Sequence, residues 1–311
     1  MEIMKVIVFA GGDSPERDVS LASGKQVYKA LKKRGHNVIL IDPSEKNFFK
    51  KVIEFKPDCV FIALHGGKGE NGVIQGFLEA INIPYTGSGV LSSAICMNKI
   101  IMKKILKFHN IPTPAFVVVE KDKIPYIPFS FPVVVKPANL GSTIGIRIVK
   151  EKKYLKSAIE ESFKFDKEIF IEKFIEGKEI TIGILGNEDT EILPAIEIRT
   201  KSGFYDYKAK YTPGESQHII PPQLSEKIIK KANRIAEKVY KIVKCSGFAR
   251  MEIMIDKKGT PYILDVNTIP GLTETSLLPD AAKYKGISFE DLCEKILNYA
   301  IEKWKIRQKE E

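Results

Sequence analysis

In the N-terminal part of the chain, short wholly apolar runs alternate with stretches whose apolar positions recur at helical spacing. The runs are Val6–Phe9, Val38–Ile41 and Val60–Leu64, and the helical stretches are Ser20–Lys33 and Val73–Ile81. Strands without polar alternation, separated by helices, predict a parallel sheet covered on both faces. Ligands of such sheets gather beyond the carboxyl ends of the strands. Two polar loops leave those ends, GGDSPER from Gly11 to Arg17 and HGGKGENG from His65 to Gly72. Neither is a G-x-G-x-x-G turn or a Walker P-loop.

Beyond residue 91 the pattern changes. A helix is predicted over Asn98–Phe108, then a turn at Pro112 and Pro114, a β-branched strand Val133–Lys136, a Gly/Ser loop and a second strand Ile146–Val149. Because this unit is strand, loop, strand, any phosphate contact comes from a flap and not from a helix N-terminus. A helix over Lys153–Phe165 and a strand Ile169–Glu172 follow, then strands Ile180–Leu185 and Ile192–Ile198, a helix Ser225–Val243 and an amphipathic helix Phe289–Ile306. Between Thr200 and Pro222 no periodicity is sustained, yet Tyr205, Tyr207, Lys208, Lys210 and Tyr211 crowd together. A loop of that length and aromatic content reads as a lid. The texture thus divides the chain into residues 1–90, 91–175 and 176–311.

The polar positions that interrupt the strands carry the chemistry. In one C-terminal run Phe248, Arg250 and Glu252 share a face opposite Ala249, Met251, Ile253 and Ile255; in the next, Asp265 and Asn267 lie opposite Leu264 and Val266. The connector Asp256-Lys257-Lys258-Gly259-Thr260-Pro261 has turn composition, so the runs pair as an antiparallel hairpin. Two carboxylates and an amide oxygen side by side repel unless a hard cation lies between them, which points to magnesium and through it to phosphate. The alternative is a solvated face with one Arg–carboxylate pair.

Composition limits the classes open to the chain. It has 311 residues, 44% hydrophobic and 28% charged, the profile of a globular protein with room for two or three cores. No apolar run approaches the roughly 18 residues of a membrane span, and the N-terminus lacks a signal-peptide pattern, so a cytoplasmic location and no membrane partner are expected. Cys59, Cys96, Cys245 and Cys293 form no C-x-x-C pair, and buried free thiols are expected. The net charge of +10 is spread over helix lysines such as Lys32, Lys33, Lys103, Lys104, Lys230 and Lys231. Without a basic arm or interleaved aromatics it predicts no nucleic-acid partner, and a site for a small anion accounts for the excess as well.

Single positions keep two readings each. Lys136 in its apolar strand either faces an anion or snorkels to solvent past Pro137. Glu16, after Ser14 and Pro15, either caps a helix or receives a substrate ammonium. His65 is either structural or a substrate contact, and Glu172 to Ile175 (EKFI) either ends a strand or offers backbone groups to an adenine. Lys99 lies in a helix pattern that by itself says nothing more.

Together these segments resemble the D-alanine:D-alanine ligases of the ATP-grasp superfamily over nearly the whole chain. The resemblance is carried by GGDSPERDVS (Gly11–Ser20), HGGKGENGVIQG (His65–Gly76), YTGSG (Tyr85–Gly89), MNK (Met97–Lys99), KPANLGSTIG (Lys136–Gly145), FYDYKAKY (Phe204–Tyr211) and DVNTIPGLTETSLL (Asp265–Leu278). Seven such segments in one order are specific. The resemblance implies an α/β fold, α+β in its ATP-grasp part: an N-terminal parallel-sheet domain, then two ATP-grasp domains whose antiparallel sheets hold ATP between them. It implies a homodimer that uses ATP and D-alanine in peptidoglycan precursor synthesis, with two magnesium ions that manganese can replace.

By position, the resemblance has Lys99, Lys136 and Lys210 hold phosphates, with Ser142 also at the ATP site. Glu172, Lys173, Phe174 and Ile175 hold the adenine, and Glu179 the ribose. Glu252, Asp265 and Asn267 bind the metal. Glu16 orients the first D-alanine's ammonium and links to Ser142 and Tyr211, while His65 and Lys210 also face substrate. Ser276 and Leu277 receive the second D-alanine's carboxylate, and Arg250 with the Gly271 N–H holds the oxyanion.

Four positions depart from the family pattern. Glu252 stands where the family usually has Asp, Asp265 where it has Glu, Asn71 where it has Asp and Thr143 where it has Ser. The first two departures exchange the sizes of the metal-binding acids. Tyr211 favours a dipeptide, since ligases that make the D-lactate ester carry Phe there. The alternatives are an ATP-grasp ligase with another acceptor, such as D-lactate, and a non-catalytic nucleotide or nucleic-acid binder.

Overall fold

The computed structural model describes residues 2–141, 143–200 and 214–310. Ser142, Lys210, Tyr211 and most of the expected lid lie outside the described residues. Strands β1 (Lys5–Phe9), β2 (Asn37–Ile41) and β3 (Cys59–Ile62) form a parallel sheet in the order β2-β1-β3. They are joined by helices α1 (Arg17–Lys33) and α2 (Phe48–Phe55) and followed by α3 (Val73–Ala80). Residues Val6 to Phe9 are wholly buried, as covering on both faces requires.

Two helices then run back to back, α4 (Val90–Met97) and α5 (Lys99–Phe108). Asn98 divides them: its extended backbone ends α4, and its side-chain oxygen caps α5 by accepting from the Ile101 N–H at 3.0 Å. The second sheet is antiparallel, built from β4 (Phe116–Val119), β5 (Val133–Pro137), β6 (Arg147–Val149) and β7 (Ile169–Lys173) in the order β4-β7-β5-β6, with α6 (Leu155–Ser162) packed against it. The strand-loop-strand expected around the Gly/Ser loop is the β5–β6 pair.

The third sheet is also antiparallel. It takes β8 (Gly177–Gly186), β9 (Thr190–Ile192), β10 (Ile196–Thr200), β11 (Ser216–Ile219), β12 (Gly247–Asp256) and β13 (Pro261–Asn267) in the order β11-β10-β8-β12-β13, with β9 on β8. The strand expected over Ile192–Ile198 is broken in two around Pro194, which has no N–H to give a ladder. The end of the expected lid, Ser216–Ile219, is an edge strand on β10. Helix α7 (Glu226–Ile242) backs this sheet, and α8 (Leu277–Tyr284) and α9 (Phe289–Glu310) complete the chain. Leu292, Ile296 and Leu297 of α9 enter the same core as β1. α9 is fastened to the end of α1 at the surface by Lys33–Glu290 at 2.7 Å, and to the turn between α1 and β2 in the interior by His36–Glu294 at 2.9 Å.

Strand β8 approaches β12 too closely at its start for a side chain. A Cβ on Gly177 would lie 1.8 Å from the Ile255 carbonyl oxygen. Gly177→Ala is expected to cost about 1–3 kcal/mol through forced backbone movement, read as a lower midpoint in thermal denaturation.

Candidate active site between the two antiparallel sheets

The β12–β13 hairpin forms as expected, with Arg250 opposite Asn267 and Glu252 opposite Asp265. One correction applies to its faces. A bulge between Glu252 and Ile253 shifts the register, so that Leu264 lines the same cavity as Asp265 instead of lying opposite it. Arg250 is buried in the sheet and donates to Thr181 Oγ1 at 3.0 Å and to Glu252 Oε1 at 2.9 Å. Lys99, on the first turn of α5, lies 3.2 Å from Asp265 and donates to the Leu140 carbonyl at 3.0 Å. Burial pulls the Lys99 ammonium down, but Asp265 beside it, with Glu252 and Glu70 further off, outweighs this and holds its pKa above the ordinary lysine value.

At the other side of the cleft Lys136 points inward and not to solvent, 2.5 Å from Glu172 Oε1. Lys103 lies 2.8 Å from the other oxygen of the same carboxylate. Burial would raise the Glu172 pKa, yet the two ammoniums more than offset it and keep the carboxylate ionised. Sequence reasoning placed Lys103 among scattered surface lysines. It is in fact fully buried, and the available signal was its spacing from Lys99, one helical turn along the same face.

Glu16 immediately precedes α1 but makes no side-chain cap. Its carboxylate instead reaches between two loops, so that a Cβ on Gly66 or on Gly141 would lie 2.7 or 2.6 Å from Oε2. Glu70, unassigned from the sequence, shares this cavity. Burial pushes its carboxyl pKa up, His65 lowers it and the nearby Glu16 raises it again. Two acids so close form a natural receiver for an ammonium.

His65 ties the first layer to the last loop. Its Nδ1 lies 3.1 Å from the Ile269 carbonyl and its Nε2 3.0 Å from Ser23 Oγ, which also accepts from the Leu272 N–H at 3.2 Å. Ser23→Ala would strand a buried N–H and a ring nitrogen, and is expected to cost about 1–3 kcal/mol, checked by denaturant titration. In the loop that Ser23 anchors, Asn267 Oδ1 accepts from the Ile269 N–H at 3.0 Å, and Ser276 Oγ accepts from the Thr273 N–H at 3.0 Å. A Cβ on Gly271 would lie 2.7 Å from Ser276 Oγ, so the backbone there lies close against the start of α8. Ser276 and Leu277 stand at the N-terminus of α8, where free N–H groups favour a carboxylate.

Two cavities meet in this region. One is lined by Glu16, His65, Glu70, Arg250, Asn267, Gly271, Ser276 and Leu277; the other by Lys136, Glu172, Lys173, Phe174, Ile175, Glu179, Met254 and Leu264. Lys99, Gly141, Glu252 and Asp265 line both. A ligand spanning them would place its middle against a lysine, a glycine loop and two acids. Of the residues expected in the site, all that are described line one or both cavities.

A parallel α/β layer followed by two antiparallel sheets that close on a cleft of lysines and paired acids defines the ATP-grasp class. The D-ala D-ala ligase C-terminus family matches residues 105–298, and the D-ala D-ala ligase N-terminus family matches residues 44–88. This chain belongs to the D-alanine–D-alanine ligase family. It is 49% identical over 309 residues to a D-alanine–D-alanine ligase of Carboxydothermus hydrogenoformans, covering 96% of this chain and 99% of that one. It is 45% identical over 317 residues to that of Pelotomaculum thermopropionicum, covering 98% and 99%. Among solved structures, the Bacillus anthracis D-alanine–D-alanine ligase complexed with ATP is similar, with a TM-score of 0.85 at 35% identity, covering 98% of this chain and 99% of that one.

Proposed function

We propose that this protein uses ATP to join two D-alanines into D-alanyl-D-alanine for peptidoglycan precursor synthesis. The observation that carries the reading is the pair of cavities sharing Lys99, Gly141, Glu252 and Asp265. A nucleotide lies in one, amino acids in the other, and the transferring phosphoryl group at their common wall. The base rests against Glu172 to Ile175, Glu179 meets the ribose, and Lys99 and Lys136 face the phosphates, with Lys210 and Ser142 completing that set. Residues 1–90, 91–175 and 176–311 act as the three domains, and the chain works as a cytoplasmic homodimer. Among the described residues no helix is long and apolar enough to cross a membrane.

In the first step the carboxylate of one D-alanine, its ammonium held by Glu16, attacks the γ-phosphorus of ATP and releases ADP. The amine of the second, its carboxylate held at Ser276 and Leu277, then attacks the acylphosphate carbon. Arg250 and the Gly271 N–H receive the oxyanion that develops, and collapse expels phosphate, which carries off the proton the attacking amine loses. Tyr211 and Ser142 stand with Glu16 in this scheme.

The acids fit a hard divalent cation. Among the described residues no three His, Cys, Asp or Glu side chains cluster for a metal, but Glu252 and Asp265 face each other across the hairpin and Asn267 supplies a third oxygen. In this structure Arg250 and Lys99 lie on those acids. Magnesium bound there would neutralise charge on the phosphates of ATP.

Product analysis by mass spectrometry with ATP, magnesium and a panel of D-amino and D-hydroxy acids tests the proposal. ADP, phosphate and D-alanyl-D-alanine are expected from D-alanine alone. Phosphate release with D-alanine plus D-lactate but not with D-alanine alone would overturn it.

A further inference from the structure

Helix α8 opens on a conflict of charge. Its first turn holds Leu277, Leu278, Pro279 and Asp280. Pro279 has no N–H, and the Asp280 N–H is spent on the Ser276 carbonyl at 3.2 Å, so the donors left at the helix start are those of Leu277 and Leu278. The same positive end that draws a substrate carboxylate also draws the carboxylate of Asp280. Ser276 and Asp280 lie one turn apart on one face, about 5–6 Å between Cβ atoms, close enough for an unrestrained aspartate to oppose a second anion.

His218 of β11 takes that aspartate. Its Nδ1 lies 2.6 Å from Asp280 Oδ2, and a ring N–H in that position donates to the carboxylate. The two side chains are 18% and 31% exposed, so the contact is partly shielded from water. In the strand register His218 is opposite Ile198, which shares a core with Leu277 and Leu278, so the imidazole stands on the sheet face against which α8 packs. Glu274, two residues before Ser276, is engaged in the same way by Gln26 Nε2 at 3.0 Å. Thr273, Glu274 and Asp280 line one cavity, and Thr273 and Ser276 also line the substrate cavity. The acids that flank the helix start in sequence are thus each turned to a donor.

We infer that His218 is a positioning residue for the acceptor: by holding the Asp280 carboxylate against β11, it leaves the N-terminus of α8 open to the carboxylate of the second D-alanine. The ordinary alternative is a tie that fastens β11 to α8 and serves stability alone. The two differ in sign. For a tie, losing either partner does the same harm; for a restrained competing anion, losing Asp280 is harmless and cures the loss of His218. The inference rests on the reading that α8 receives that carboxylate.

The test is steady-state synthesis of D-alanyl-D-alanine at saturating ATP and magnesium over a wide range of D-alanine, which resolves the first and second D-alanine sites. The proteins compared are the native chain, His218→Leu, Asp280→Ala and their combination. His218→Leu should raise the KM of the second site about 5–10-fold and leave kcat and the KM values for ATP and the first D-alanine within about 2-fold. His218→Lys, which keeps a cation against Asp280, should stay within about 3-fold of the native value at the second site. Asp280→Ala should not raise that KM, and the double variant should return to within about 2-fold of native. Should His218→Leu not fold, Asp280→Ala decides alone, because it breaks a tie but removes a competitor. A second-site KM unchanged in His218→Leu, one raised in Asp280→Ala, or a double variant no better than His218→Leu overturns the inference. Native protein that forms no D-alanyl-D-alanine overturns the proposed function, and this inference with it.

Discussion

Replacing Arg250 by lysine should lower turnover by about 10²–10³-fold, the usual cost of losing a donor aimed at a developing oxyanion. The guanidinium is held by Thr181 at 3.0 Å and Glu252 at 2.9 Å, which fixes its plane in the cavity where the acyl carbon would react. Lysine keeps the charge but replaces a rigid planar fork with a single flexible donor head, and one ammonium cannot serve Thr181, Glu252 and the oxyanion in the same geometry. Because the loss falls on the transition state, kcat should fall while the KM for ATP changes little. Steady-state kinetics on both substrates checks this. Equal losses in ATP binding and turnover would instead make Arg250 a support for Glu252. Arg250→Met should be worse still and should also destabilise the fold, since it removes the buried Arg250–Glu252 ion pair.

The parts of the fold that could be read from the sequence are those where burial writes a clear period. The first sheet is covered on both faces, so β1, β2 and β3 appear as uninterrupted apolar runs. α1 and α7 each hide one face and show helical spacing. Elements without a period escaped. α4 carries the small residues Ser92 and Ser93 into the interior, so its pattern has no polar side to read. α2 is only eight residues long, and β11 is a polar strand that, among the described residues, pairs with β10 alone. The bulge in β13 could not be seen at all, since an extra residue changes the parity of a strand without changing its composition.

The site divides in the same way. Glu252, Asp265 and Lys136 were conspicuous because each is a charge inside a strand. Their partners were not, because they come from distant segments: Lys99 reaches Asp265, and Lys103 reaches Glu172. Lys103 beside Lys104 reads as a solvated helix face until the second sheet is folded against it. Glu16 was open to a capping role by position, and only the approach of Gly66 and Gly141 to its carboxylate shows that it faces the cavity. The hydrogen bonds of His65 to Ser23 and Ile269 likewise exist only once the first layer and the last loop have met.

If Asp265 holds magnesium as proposed, Asp265→Asn is expected to reduce turnover by about 10²–10³-fold through loss of an anionic oxygen from the metal site. The half-saturating magnesium concentration should rise by about 10-fold or more. The variant also uncouples Lys99, whose ammonium Asp265 keeps charged against burial. A sharper form of the test uses the exchange of acid sizes. Glu252 and Asp265 face each other across the hairpin, so their combined reach, one long and one short, sets the width of any ion site between them. The exchange relative to the family pattern keeps that sum and moves its midpoint toward β13. Glu252→Asp alone makes the pair too short and Asp265→Glu alone makes it too long, and each should lose about 10-fold in magnesium affinity. The double exchange restores the sum and should come back to within about 3-fold of the native protein, a coupling expected of residues that touch one ligand. Titration of activity with magnesium across the four proteins decides the matter: losses that simply add would mean that the two acids do not hold a common ion, and would assign Asp265 to the support of Lys99 alone.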